Sequence, residues 1–215
     1  MTVKELIIKV GLNPFMIRKV KWGTLIDTQE EGVYIISLSD RNDLNKPLSL
    51  FPISMTILEL WINKVGGFKV DKKLTFDSKT IADRLSRFWI EDESILYIGK
   101  APIRKNGKGL GNRVKEYYNT SFGEKGGHSG GHWIKILKNL NDCYVYFIEC
   151  SDSSKYESLM LKEFGNNISN LSRLKLAETG VILPFANLED GNKKRKKHGL
   201  GPVSYTHLTL PTIRL

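Results

Sequence analysis

The run Ile95-Leu96-Tyr97-Ile98-Gly99, followed by a basic loop and then a helical pattern, leaves this chain few ways to fold. Four apolar or aromatic residues in a row are too short for a buried helix and suit a short buried strand. Gly99 is expected to end it. Lys100, Arg104, Lys105 and Lys108 make the next loop basic. Leu110, Arg113, Val114 and Tyr117 then recur at i, i+3, i+4 and i+7, the spacing of one helix face. A strand, a glycine turn and a helix with Arg113 and Tyr117 one turn apart can hold a phosphate between backbone and a guanidinium.

Two further apolar runs, 32–38 and 142–149, read as strands, the second alternating through Cys143, Val145 and Phe147. The expected fold class is therefore α+β: a small, mostly antiparallel, three-stranded sheet of 32–38, 95–99 and 142–149, flanked by helices. Residues 1–31 are expected to be a helical appendage. Thr2 caps a helix over 2–10, Gly11 stops it, and Asn13-Pro14 starts a second helix running to about Lys21. Residues 40–92 read as a helical insertion. Ser54 caps MTILELWINKV, Gly66-Gly67 ends it, 68–76 is extended, and Asp77 or Ser78 caps a helix with Ile81, Leu85, Phe88 and Trp89 on one face. A mobile glycine-rich loop over 123–132, a helix from Trp133 to Leu140, and helices opening at Ser154 and near residue 169 complete the domain, 32–190.

Net charge bears on partners. Lys and Arg outnumber Asp and Glu by 33 to 23, giving +10 and a pI near 9.5. That sign suits a polyanion, most simply nucleic acid, and equally suits a basic soluble protein with no such partner. Lys193-Lys194-Arg195-Lys196-Lys197-His198 reads as a solvated, disordered basic tail over 191–201, with a non-specific phosphate grip as its functional alternative. From about residue 202 the chain changes character and resembles a translated cloning scar. Cys143 and Cys150 flank one strand, are badly placed to pair, and show no zinc spacing, as expected of reduced thiols in the cytoplasm. No run approaches the roughly 20 apolar residues of a membrane span.

Gly32-Val33-Tyr34 and Tyr97-Ile98-Gly99 together resemble the signature tripeptides of the GIY-YIG nuclease family. The likeness continues in the family's order through Arg113, Tyr117, Glu157 and Asn187. It departs in one respect: the tripeptides usually lie close together as a hairpin, whereas here the insertion separates them. The resemblance implies a metal-dependent DNA endonuclease. It implies Glu157 as the ligand of Mg²⁺ or Mn²⁺, Arg113 on the scissile phosphate, and Tyr34 and Tyr97 with their hydroxyls in the site. Tyr34 would then help deprotonate the attacking water, Tyr117 orient that water or a phosphate oxygen, and Asn187 brace the site.

Each of these residues also has an ordinary reading. Ser154-x-x-Glu157 is a capping box. Arg113 can pair with a surface glutamate. Tyr34 and Tyr97 can be core aromatics. A tyrosine base, with an unperturbed pKa near ~10, needs a cation beside it, and Lys100 is the candidate. Lys100, Arg104, Lys105, Lys108, Arg113, His128 and His132 are the candidate DNA contacts, the two histidines being otherwise surface residues. The alternatives to an endonuclease of restriction, phage-defence or repair type are a nuclease-like module that binds nucleic acid without cutting, and a basic scaffold. A dimer is one way to cut both strands. Nothing in the chain specifies which DNA is read.

Overall fold

The computed structural model describes residues 1–105, 107–124 and 129–203. Its first helix, Val3–Lys9 (α1), is closed by a reciprocal capping box: Thr2 Oγ1 accepts the Glu5 N–H, and the Glu5 carboxylate accepts the Thr2 N–H. The second expected helix does not form. Pro14–Met16 makes a single 3₁₀ turn, and Arg18–Lys21 (β1) becomes an edge strand. A helix this short gains little by itself, whereas a ladder partner satisfies every second backbone group at once. Residues 1–31 are thus part of the main sheet and its packing.

Gly32–Ser37 (β2) is buried along its whole length. The insertion carries the helix Met55–Val65 (α2), capped by Ser54 Oγ and closed by Gly66 at φ 70°, as expected. It also carries a hairpin, Phe68–Val70 (β3) and Lys73–Thr75 (β4), turning through Asp71 and Lys72 at positive φ. Ser78–Ser86 (α3) follows, capped by Asp77, with Ile81, Leu85, Phe88 and Trp89 all buried.

Ile95–Ala101 (β5) runs straight through Gly99 rather than ending there. Leu110–Asn119 (α4), Ser129–Lys135 (α5), Tyr144–Glu149 (β6), Ser153–Asn167 (α6), Asn170–Lys175 (α7) and Leu200–Pro202 (β7) complete the described chain. α5 begins before Trp133, inside the stretch read as a loop. Gly130 permits this, because a Cβ there would fall 2.3 Å from the Ala186 carbonyl oxygen. Residues 125–128, including His128, lie outside the described residues, as do 204–215, most of the stretch read as a cloning scar.

The main sheet has four strands, not three, in the order β1-β6-β2-β5, every pair antiparallel. The two tripeptide strands are direct neighbours, with Tyr34 opposite Gly99 and Ile36 opposite Tyr97. A second sheet, β4-β3-β7, joins the insertion to the end of the described chain. The basic segment is therefore no solvated tail. Lys196 is 3% exposed, its ammonium donating to the carbonyls of Pro184 at 2.8 Å and Phe185 at 2.9 Å beneath the rings of Phe88 and Trp133. Two carbonyls and two π faces replace the water that a lysine normally keeps. Among the described residues no helix is long and apolar enough to cross a membrane.

Candidate active site

Opposed residues of an antiparallel pair point to the same face, so Tyr34, Gly99, Ile36 and Tyr97 share one side of the β2–β5 ladder. Gly99 makes room for the tyrosines. A Cβ on it would lie 2.5 Å from Tyr34 Cζ, 2.7 Å from Tyr34 Oη and 2.6 Å from Tyr97 Cε1. Helix α4 lays Tyr117 over both rings, with centroids 4.9 Å from Tyr97 and 6.2 Å from Tyr34, while Tyr34 and Tyr97 are 5.8 Å apart. The three tyrosines of the sequence reading thus form one cluster.

Tyr34 and Tyr117 are each 1% exposed; Tyr97 is partly open. The Tyr34 hydroxyl has no well-formed hydrogen bond; the Tyr97 hydroxyl is close enough to act on it but not in hydrogen-bond geometry. Burial pushes the pKa of Tyr34 well above its ordinary value, and Arg113 is the cation that opposes the shift. Burial, then the nearby Glu157 carboxylate, push Tyr97 up to about 12. Lys100, the cation expected beside Tyr34, is paired with Glu157. Its ammonium sits 2.8 Å from Glu157 Oε2.

That ion pair defines Glu157. Helix α6 is capped by Asp152, which takes a left-handed backbone and accepts the Lys155 N–H at 3.2 Å. Glu157 therefore has no capping duty, and the Ser154 box is unused. Its side chain is 14% exposed, with Lys100 its ion-pair partner among the described residues. Burial raises its pKa, and Lys100 opposes the rise. A single, half-sunk carboxylate with hard oxygen donors fits a cation that keeps most of its own waters, such as Mg²⁺ or Mn²⁺. Among the described residues, no group of three or more His, Cys, Asp or Glu forms a full protein cage.

Arg113 reaches Glu116 at 3.6 Å and keeps 23% side-chain exposure, so its guanidinium spans the buried tyrosines and the surface. The α4 backbone is not a phosphate cradle. The Leu110 and Gly111 amides donate to the carbonyls of Glu30 at 3.0 Å and Thr28 at 2.8 Å, and a Cβ on Gly109 would strike the Gln29 carbonyl.

The remaining candidates divide. Asn187 Nδ2 donates to the Ile98 carbonyl at 2.8 Å, and its Oδ1 accepts the Ile98 N–H at 2.9 Å, so it clamps the YIG strand from its open edge. Arg104 is paired in bidentate fashion with Glu116, at 2.5 and 2.7 Å. Lys105 is exposed in the loop, where the Lys108 carbonyl accepts the Arg104 N–H. His132 is no surface contact: it is 7% exposed, packed on Trp61 and Phe122, with Nε2 2.9 Å from the Ser121 carbonyl oxygen. Burial lowers its pKa.

Two residues escaped the sequence reading. Lys196 braces the Pro184–Phe185 backbone just before Asn187, and nothing distinguishes it within a run of basic residues. Glu189 lies near enough to raise the pKa of both Glu157 and Tyr97; its closeness to Asn187 in the chain was the one available signal. Comparisons of the chain with protein-family models, with curated proteins and with solved structures find no match.

Proposed function

We propose that this protein is a metal-dependent DNA endonuclease of the GIY-YIG type. One observation carries the reading. Residues far apart in the chain, Tyr34, Tyr97, Arg113, Tyr117 and Glu157, gather around one sheet edge, although the insertion separates the two signature strands. A core without function needs neither a half-sunk carboxylate nor a glycine cleared for two tyrosines.

In this reading a water oxygen attacks the phosphorus in line, the P–O3′ bond breaks, and 3′-hydroxyl and 5′-phosphate ends result. Arg113 holds the phosphate and offsets its growing negative charge; removing such a donor typically costs about 10² to 10³ in rate. Glu157 would hold the cation, and Lys100 is the counter-charge that pairs with its carboxylate in the cation's absence. Mg²⁺, when bound, supplies Lewis-acid charge at the phosphate and a proton source for the leaving 3′ oxygen. Tyr34, kept protonated by burial, orients the water through its hydroxyl. Arg113 is the cation beside it that opposes the burial-raised pKa, and so favours its acting as a base toward that water. Tyr117 and Tyr97 wall the other side, and Asn187 fixes the strand that carries Tyr97.

The buried Tyr34 hydroxyl and the closed Lys100–Glu157 pair favour one second reading, a module that grips DNA without cutting. Incubation with supercoiled plasmid, with and without Mg²⁺, separates the two. Mg²⁺-dependent nicking supports the enzyme; a band shift with no nicking at any Mg²⁺ or Mn²⁺ concentration replaces it with the module.

A further inference from the structure

Along α6 lies an open cleft of about 560 Å³, a volume typical of small-ligand sites. Ser158, the residue after Glu157, lines it, and so does Asp190, the residue after Glu189. The cleft therefore begins one residue from the carboxylate pair of the candidate site. Its walls are helix α6 and the turn formed by residues 190–194. The two are held close at Gly191, where a Cβ would fall 2.2 Å from Ser158 Oγ.

The charge of the cleft is net positive. Lys162 on α6 and Lys194 on the turn are exposed, and neither ammonium has a carboxylate partner among the described residues. Arg173 closes the end of the cleft, donating to the Gly165 and Asn166 carbonyls at 3.0 and 3.1 Å. Asp190 offsets only one of these three positive charges. Its Oδ1 accepts the Asn192 and Lys194 amides at 2.9 and 2.8 Å and so shapes the turn. Leu176, Val181 and Ile182 give the same cleft an apolar wall. Cations on two sides and an aliphatic surface between them match a nucleotide: a phosphate with a base attached.

We propose that this cleft is a second nucleic-acid subsite. It takes one nucleotide of the strand that Arg113 and Glu157 hold, its phosphate between Lys162 and Lys194 and its base against Val181 and Ile182. The proposal rests on the endonuclease reading and deepens it. A pocket for one unpaired nucleotide beside the cutting site makes the protein selective for distorted or single-stranded DNA over regular duplex.

The test is fluorescence anisotropy of a labelled single-stranded oligonucleotide in EDTA, where no cutting occurs, across a range of salt. Each neutralised phosphate contributes about 0.7 to the slope of log K against log salt on single strands. Lys162→Ala with Lys194→Ala should thus flatten the slope by about 1.4. Ala177→Trp, which fills the cleft without changing charge, should lower the affinity for the base-bearing strand to that for an abasic strand of equal length. Both variants should still nick plasmid with Mg²⁺ and melt at the wild-type temperature. If the wild type binds and cuts while both variants keep its slope and its preference for bases, the subsite is wrong and the nuclease reading stands. If the slope falls but base preference is untouched by Ala177→Trp, the lysines are a non-specific grip and the nucleotide pocket is wrong. If the wild type neither binds nor cuts, the endonuclease reading falls and takes the subsite with it.

Discussion

Gly99→Ala is the smallest change that should damage the tyrosine cluster. Gly99 has ordinary extended backbone, so no conformational strain arises and the effect is steric alone. The new methyl would stand 2.5 Å from Tyr34 Cζ and 2.6 Å from Tyr97 Cε1. Tyr34 is buried, with Tyr97 and Tyr117 packed at tilted and edge-on angles around it, so its ring has no empty side to move into; Tyr97, which is partly open, can yield only toward solvent. Overpacking of this kind costs about 1–3 kcal/mol. Replacing a strand glycine returns about 0.5–1 kcal/mol of backbone entropy. The net loss is then about 1–2 kcal/mol, or roughly 2 to 8 °C in Tm at this domain size. Calorimetry reads the shift, and near-ultraviolet circular dichroism reads the moved tyrosines. Gly201→Ala is the control, because a Cβ there meets nothing within 4 Å; it should be neutral or slightly stabilising. A Gly99→Ala protein that melts with the wild type and keeps its tyrosine spectrum would refute the claim that this glycine exists to clear the rings.

Three further outcomes are expected. Glu157→Gln should leave the fold intact, since Asp152 caps α6, and should remove Mg²⁺-dependent nicking while DNA binding persists; full activity in the folded variant would end the metal assignment. Asn187→Ala should strand the buried Ile98 N–H and carbonyl, costing about 1–3 kcal/mol in urea unfolding, and a variant with unchanged midpoint and slope would show that the clamp is idle. The third concerns pH. Burial brings the Lys196 amine down to about 7, far below its value in the unfolded chain. Below pH 7 both states hold the proton; above it the folded state sheds the proton and the unfolded chain keeps it, so stability rises by up to about 1.4 kcal/mol per pH unit. The window runs from pH 7 to about 8.5, before unfolded thiols ionise. Lys196→Met should flatten this rise, and a wild-type stability that falls across the window would contradict it.

What the sequence disclosed is what local chemistry decides. Ser54, Gly66 and Asp77 mark their helix ends because caps involve residues a few positions apart. The β2–β5 ladder was visible as two apolar runs, and its register was not, because register depends on what crosses Gly99. The extension of β5 past that glycine has the same cause. The Ser154 box looked like a cap on spacing alone; Asp152 won because it can take the left-handed backbone where the strand turns into α6. β1 was misread as helix because an edge position exists only once β6 is in place. Lys196 was illegible for the strongest reason: its partners, the carbonyls of Pro184 and Phe185, carry no side-chain signature at all.

The second sheet has a consequence for how the protein is made. β7 pairs with β3, and all of β5, α4, α5, β6 and α6 lie between them in the chain. A ribosome delivers the insertion early and its strand partner late, so β3 waits with one edge open while the rest emerges. Lys196, just upstream of β7, arrives in the same late instalment and fixes the loop that carries Asn187. The clamp on Ile98 therefore forms after the strands and helix that carry the tyrosines, and a chain that has emerged only through α6 has the tyrosine cluster but no lock on the strand that holds Tyr97.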